Sequence, residues 1–177
     1  MRKSFGSIII GVLFIFLDIR VGAIDVFLDP IGYWFIYYGV IRLMDEYPVA
    51  RRAKNSAAML AFLTIPTVFI SMNAVFHPLS FLGLYMPLLQ FLMIIFMFFL
   101  FQLMLQIADK KGYQKLYKQT RLFMFIYISV KAIIFLIQLF SVPGMHHYMI
   151  GLSSLTLGLN VVFLGWLFRF RMFPETN

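Results

Sequence analysis

Long apolar runs broken by short polar clusters dominate the chain. Crossing about 30 Å of hydrocarbon takes roughly 20 helical residues. Four runs meet that length, at about 57–77, 81–107, 121–142 and 148–169. The N-terminal region is more interrupted: an apolar stretch from Phe5 to Leu17 meets Asp18 and Arg20, and apolar sequence resumes at Ile24 and continues to Met44. A helical hairpin accommodates this, with one helix over about 5–22, a turn at Gly22 and a return over about 24–44. The pattern predicts an all-α fold, a polytopic transmembrane bundle of six helices forming a single domain over 1–177.

Composition points the same way. The chain is 62% hydrophobic and 12% charged, with 22 Phe and 12 Met. A soluble globule has about half its residues apolar and about a quarter charged, so this chain cannot coat itself with polar side chains. The net charge of +8 does not indicate a nucleic-acid partner. The basic residues sit in short clusters between the apolar runs, where they set topology and attract anionic lipid headgroups. Arg2 and Lys3 precede the first run; Arg42, Arg51, Arg52 and Lys54 surround the second turn. Lys110, Lys111, Lys115, Lys118 and Arg121 fill the fourth, and Arg169 and Arg171 follow the last. If six helices alternate, all of these fall on one side. Arg20, Asp18, Asp25, Asp29, His77, His146 and His147 fall on the other. The rule that cytoplasmic loops are basic then predicts both termini in the cytoplasm and a multi-pass protein of the inner cell membrane. Met1–Lys3, the run Ile8–Leu17 and Val21-Gly22-Ala23 also match the three parts of a signal peptide. Its removal would leave the charge count of the remaining helices unchanged.

Depth separates the polar residues further. At 1.5 Å per residue, Lys131 lies roughly 15 Å above the cytoplasmic interface, near the bilayer centre, and Asn160 at roughly 14 Å. Asp18, Arg20 and Asp29 fall at roughly 20–22 Å, with Asp25 higher, and Asn73, Gln90 and Gln138 at roughly 24–26 Å. The polar groups thus collect from midplane to outer leaflet, and the inner half is apolar. A charge at the bilayer centre costs about 2.5–3.5 kcal/mol on insertion scales, offset by about 0.3–0.6 for each good apolar neighbour. Lys131 is therefore expected to point into the bundle and pair with an acid, Asp18 or Asp29 being nearest in height. The bland alternative is that its long side chain reaches for an interface.

Spacing suggests how the helices meet. Asp25, Asp29, Gly32, Ile36 and Gly39 share one face of the predicted second helix, which small residues allow another helix to approach. Asp29-Pro30 also reads as an N-cap followed by the first helical position. Gly151, Gly158 and Gly165, with Ser154 nearly in line, form a smooth stripe on the last helix, a packing seam within the monomer or toward a membrane partner or second protomer. Pro66 and Pro87 predict kinks whose freed carbonyls Thr64 or Thr67 would satisfy. Tyr33, Trp34, Tyr37 and Tyr38 read as belt and packing aromatics rather than a ligand cage. Tyr113, Leu116 and Tyr117 beside Lys115 and Lys118 read as a short interfacial helix on anionic lipid.

Catalytic chemistry finds little support. The chain contains no H-E-x-x-H, no G-x-x-x-x-G-K-[ST] and no G-x-S-x-G. Gly151-Leu152-Ser153-Ser154 resembles the serine motif of intramembrane proteases, but no histidine lies within a predicted span to act as base. Asp25 and Asp29 lie on one predicted helix without the Gly-Asp of intramembrane aspartyl proteases. The three histidines share the outer side with the aspartates, a combination that suits zinc or manganese; adjacent histidines such as His146-His147 are more simply solvated loop residues. Without cysteine there are no disulfides or thiolate sites, and no cofactor is expected.

The stretch from Asp18 through Asp25-Val-Phe-Leu-Asp29-Pro-Ile-Gly32-Tyr33 to Tyr38-Gly39-Val-Ile-Arg42 resembles a group of small polytopic bacterial membrane proteins. These read D-I-L-P-D-x-I-G-Y between their first two helices. The two aspartates, the Ile-Gly-Tyr and their offsets match, while the proline follows the second aspartate here. The resemblance implies a bacterial membrane protein and points to the Asp25/Asp29 turn; it carries no activity. Two functional expectations follow. One is transport or ligand binding through an outward-facing polar pocket formed by Asp18, Arg20, Asp25, Asp29, Gln90, Lys131 and Asn160. The other is a non-catalytic accessory role, in which the same charges lock the bundle or a partner's helix.

Overall fold

The structure is a computed structural model that describes residues 1–16, 20–21, 24–25, 29–68, 81–140 and 146–172. It is all-helical apart from one short ladder. The helices are α1 (Arg2–Phe16), α2 (Asp29–Ile41), α3 (Ala50–Leu63), α4 (Phe81–Lys110), α5 (Gln114–Leu139) and α6 (His146–Met172). Between α1 and α2, β1 (Arg20–Val21) pairs antiparallel with β2 (Ile24–Asp25), placing Arg20 opposite Asp25 and Val21 opposite Ile24.

Three helices are long and apolar enough to cross a membrane: Leu84–Lys110 within α4, α5, and Gly151–Met172 within α6. Helices α1, α2 and α3, with 15, 13 and 14 residues, are shorter than the sequence pattern suggests. The pattern carries the first helix to 22 and starts the second at 24, whereas residues 20–21 and 24–25 are extended and paired. Asp25 is consequently a strand residue and does not share a helical face with Asp29.

Neighbouring helices run antiparallel in a closed ring. Residues near the start of α1 meet the end of α2, where Gly39 lies against Ser4 and Ile8; toward the other end, Gly32 lies against Gly11 and Ile15. The backbone N–H of Val49, just before α3, donates to Gln106 Oε1 near the end of α4 at 3.3 Å. At the far end of α3, the Tyr85 hydroxyl donates to the Leu63 carbonyl. Phe101 of α4 packs on Phe123 of α5, and Phe91 on Phe135. Helix α6 closes the ring on α1 through Phe5–Phe170 and Phe16–Phe163. This alternation brings Arg2, Lys3, Arg42, Arg51, Arg52, Lys115, Lys118, Arg121, Arg169 and Arg171 to one end, all exposed.

Side-chain size divides the ring into two halves. From α1 to α4 the helices approach closely because the residues between them are small. A Cβ on Gly11 would lie 2.3 Å from the Gly32 carbonyl oxygen, and one on Gly39 would lie 2.7 Å from that of Ser4. Helix α3 buries Ala50, Ala53, Ala57 and Ala61 along one face. From α4 through α5 and α6 the contacts are made by rings instead, with Phe101, Tyr127 and Phe163 mutually in contact at 5.1–5.6 Å between centroids. Rings of this size hold the helix axes apart. Outside, α5 and α6 expose Leu122, Phe125, Ile133, Leu136, Leu157, Val161 and Val162, an apolar surface larger than water-facing proteins tolerate.

Three other expectations change. The glycine stripe of α6 is not a seam within the monomer: Gly151, Gly158 and Gly165 are exposed, and a Cβ on any of them would meet nothing within 4 Å. The close seam is made by Gly11, Gly32 and Gly39 instead. Pro66 does not kink a helix over 57–77. It follows the end of α3 and opens a 3-10 turn at Pro66–Val68, because its ring lacks an N–H and would clash with the preceding turn. The Thr64 hydroxyl donates to the Leu60 carbonyl at 2.8 Å and that of Thr67 to the Thr64 carbonyl at 2.7 Å, so both threonines satisfy carbonyls at this terminus. Finally, Tyr113–Tyr117 is not a separate interfacial helix. Gly112 adopts φ +73°. The N–H groups of Gly112 and Tyr113 bond to the carbonyls of Asp109 and Ala108, a Schellman cap that ends α4. Helix α5 then begins at once, and Leu116 is buried in the core.

Candidate functional site

Above the ring-packed half lies a cavity of about 370 Å³ between α1, α4, α5 and α6. Its walls follow helical periodicity. Helix α4 contributes Gln90, Met93, Ile94 and Met97, spaced i, i+3, i+4, i+7. Helix α5 contributes Tyr127, Lys131, Ile134, Phe135 and Gln138, again one face, and α6 contributes Thr156 and Asn160. Ile15 and Phe16, the last residues of α1, also line it. These positions lie on the halves of α4, α5 and α6 remote from the basic end. Phe101, Phe123, Phe163 and Trp166 close the space toward that end, and the Trp166 indole N–H donates to Thr120 Oγ1 at 3.0 Å beneath them.

Two contacts organise the cavity's polar groups. The Tyr127 hydroxyl donates to Asn160 Oδ1 at 3.0 Å, with both residues buried. This joins α5 to α6 at the cavity floor and leaves the Asn160 amide nitrogen as a donor. One turn further out, Lys131 Nζ sits 5.6 Å from the centroid of the Tyr127 ring, within reach of the ring's negative face. No carboxylate among the described residues lies within ion-pair distance of Lys131.

The polar residues singled out from the sequence separate into two sets. Lys131, Gln90 and Asn160 line this one cavity, together with Gln138. Asp29 opens α2 and is not on the lining. Arg20 and Asp25 face one another in register across the short ladder, their side chains outside the described residues. Asp18, which the depth argument offered as a partner for Lys131, lies outside the described residues, as do Asn73 and His77. His146 and His147 start α6, and among the described residues no group of three His, Asp or Glu could hold a metal ion. Ranking by depth and charge passed over Tyr127 and Thr156. Their signal was present in the spacing, Tyr127-Lys131-Gln138 being i, i+4, i+11 and Thr156-Asn160 i, i+4, so that each shares a helical face with a polar residue already singled out.

At the opposite end a small polar cluster ties the α2–α3 connection to α4. Lys110 Nζ lies 3.8 Å from Glu46 Oε1, donates to the Glu46 carbonyl at 3.2 Å, and sits 5.2 Å from the Tyr47 ring centroid. The Tyr47 hydroxyl donates to Glu46 Oε1 at 2.9 Å. Burial pushes the Tyr47 phenol well above its ordinary pKa, and the neighbouring Glu46 carboxylate pushes it further. Comparison with protein-family models, curated proteins and solved structures gives no match for this chain.

Proposed function

We propose that the chain is a six-span, multi-pass protein of an inner cell membrane, with both termini in the cytoplasm, that binds or carries a small solute in a cavity facing the outer side. The length and apolarity of α4, α5 and α6 support membrane insertion. Helices α1, α2 and α3 cross as their close-packed partners. The basic end supports the orientation, because Lys and Arg concentrate in cytoplasmic loops, where they meet anionic headgroups. The observation that carries the solute-binding reading is the gathering of Lys131, Gln90, Gln138 and Asn160 around one space of about 370 Å³. Intramembrane ionisable residues are costly and usually serve a site.

The natural absence of cysteine makes a direct test available. In Thr156→Cys protein, a membrane-impermeant thiol reagent should label the single cysteine when applied from the outer side and not when applied from the cytoplasmic side. Absence of labelling from both sides in the folded protein would mean a sealed interior and would end this reading.

A second reading, an accessory protein that packs with a membrane partner, is favoured by one observation. The Gly151/Gly158/Gly165 stripe faces outward with nothing of its own chain against it. Gly158→Cys should then form crosslinks in native membranes. If it remains uncrosslinked, the stripe faces lipid.

A further inference from the structure

The chemistry of the cavity narrows what could occupy it. We infer that the site takes an amphiphilic monoanion, a carboxylate or phosphate head on an apolar body. This rests on the solute-binding reading and goes further by naming the ligand class. Among the described lining residues Lys131 is the one cation, and none is a carboxylate. Gln90 and Gln138 offer amide N–H donors, and the Asn160 amide nitrogen remains a donor because its oxygen is taken by Tyr127. The glutamine amides can turn either a donor or an acceptor inward, so the charge preference rests on Lys131, which attracts an anion and repels an ammonium. The remaining wall is apolar and adaptable, with Met93 and Met97 facing Ile134 and Phe135. Unbranched thioethers of this kind mould to a flexible apolar body. A small inorganic anion would leave that wall uncovered.

Size sets a limit. A dry cavity of about 150 Å³ holds benzene; by proportion, about 370 Å³ holds roughly 15 non-hydrogen atoms. A medium-chain carboxylate such as decanoate falls within that limit.

The test uses full-length Thr156→Cys protein in discs of zwitterionic lipid. Labelling rates are compared for an anionic and a cationic methanethiosulfonate of similar size, each normalised to its rate with a free thiol. The anionic reagent should be favoured by roughly ten-fold or more, the range expected when a cleft of one sign concentrates its counter-ion. Adding Lys131→Gln should remove that preference. Decanoate should slow labelling, whereas decanol and decyltrimethylammonium should not. Anionic phospholipid built into the disc, tested without decanoate, distinguishes a headgroup entering from the leaflet from a free solute. Labelling without charge preference, or a preference that survives Lys131→Gln, overturns the anion assignment and leaves the solute-binding reading standing. No labelling by either reagent overturns both.

Discussion

Replacing Gly11 with alanine would put a methyl group where α1 and α2 leave no room for one. The new Cβ would lie 2.3 Å from the Gly32 carbonyl oxygen and 2.9 Å from the Ile36 backbone nitrogen. Ordinary van der Waals contact begins near 3.4 Å, a shortfall of about 1.1 Å (3.4 − 2.3). Neither contact atom belongs to a side chain, so no rotamer change relieves it and the helices must move apart. Overpacking that forces backbone shifts costs about 1–3 kcal/mol, and the upper end applies because the displacement is shared along the whole seam. Alanine's better helix propensity returns up to about 1 kcal/mol, leaving a net loss of about 2. Gly6→Ala and Gly158→Ala are the controls. A Cβ at either position meets nothing within 4 Å, so only the propensity gain remains, and both should be neutral or stabilised by up to about 1 kcal/mol. Equilibrium unfolding of the purified protein in micelles, followed by circular dichroism, should separate Gly11→Ala from Gly6→Ala by about 3 kcal/mol. If the two variants unfold together, α1 and α2 do not approach at Gly11 and the close-packed half of the ring is wrongly drawn.

Further outcomes can be measured on the same preparation. Tyr127→Phe removes the donor to the buried Asn160 oxygen and should cost about 1–3 kcal/mol; once Asn160→Leu has removed the acceptor, the same change should cost distinctly less, and equal costs in both backgrounds would deny the coupling. If α5 spans a membrane as proposed, Lys131→Met should raise stability by on the order of 1–3 kcal/mol, because a charge is removed from the span; a loss of about 3–5 kcal/mol would instead reveal a broken buried ion pair. Tyr47 gives a pH dependence. Its phenol is harder to ionise folded than unfolded, so above about pH 10 the unfolded chain loses that proton first and stability falls as pH rises, by at most about 1.4 kcal/mol per pH unit. Below that pH the contribution is fully present. Tyr47→Phe should flatten the alkaline decline, and an unchanged slope would place the phenol in an ordinary environment.

How much of this was legible in the sequence depends on what competed with each signal. Helices α4 and α6 lie within a few residues of the predicted 81–107 and 148–169, because an uninterrupted apolar run leaves a chain in lipid no alternative to helix. The start of α5 was misplaced from Gln114 to 121 because a basic cluster reads as a loop. The glycine after Lys110-Lys111 was the better signal, since Gly112 caps α4 in three residues. At Pro66, helix-stop and helix-kink signals are the same residue, and only the chain beyond it decides between them. Glycine spacing on one helix says that a face is smooth but not what it faces. The α6 stripe looked like a seam and points outward, while the true seam needed Gly11 on α1 to be matched with Gly32 and Gly39 on α2. Depth arithmetic put Lys131 and Asn160 at one level and Gln90 roughly 10 Å further out, and all three line one cavity. The acidic half of that expectation was tied to the Asp18–Asp29 turn, where a ladder replaces continuous helix.

The cavity itself follows from the uneven distribution of side-chain size along the chain. Glycines in α1 and α2 and alanines in α3 let these helices pack closely, which spends little volume. Phenylalanine, tyrosine and tryptophan in α4–α6 cannot pack so closely. Where the rings stack at Phe101, Tyr127 and Phe163 they fill the gap that they create. One to three turns further along α5, Lys131, Ile134 and Gln138 face the cavity and bring no ring of their own to fill it, and the gap stays open. The close-packed half thus has little room to yield, whereas α5 and α6 border open space. If the site loads and empties, the hinge of that motion should be the Tyr127–Asn160 hydrogen bond and the ring cluster below it. Substitutions that shrink those rings, Phe163→Leu among them, should alter access to Thr156→Cys more than substitutions in the α1–α2 seam do. Equal effects from both halves would argue that the bundle moves as one body.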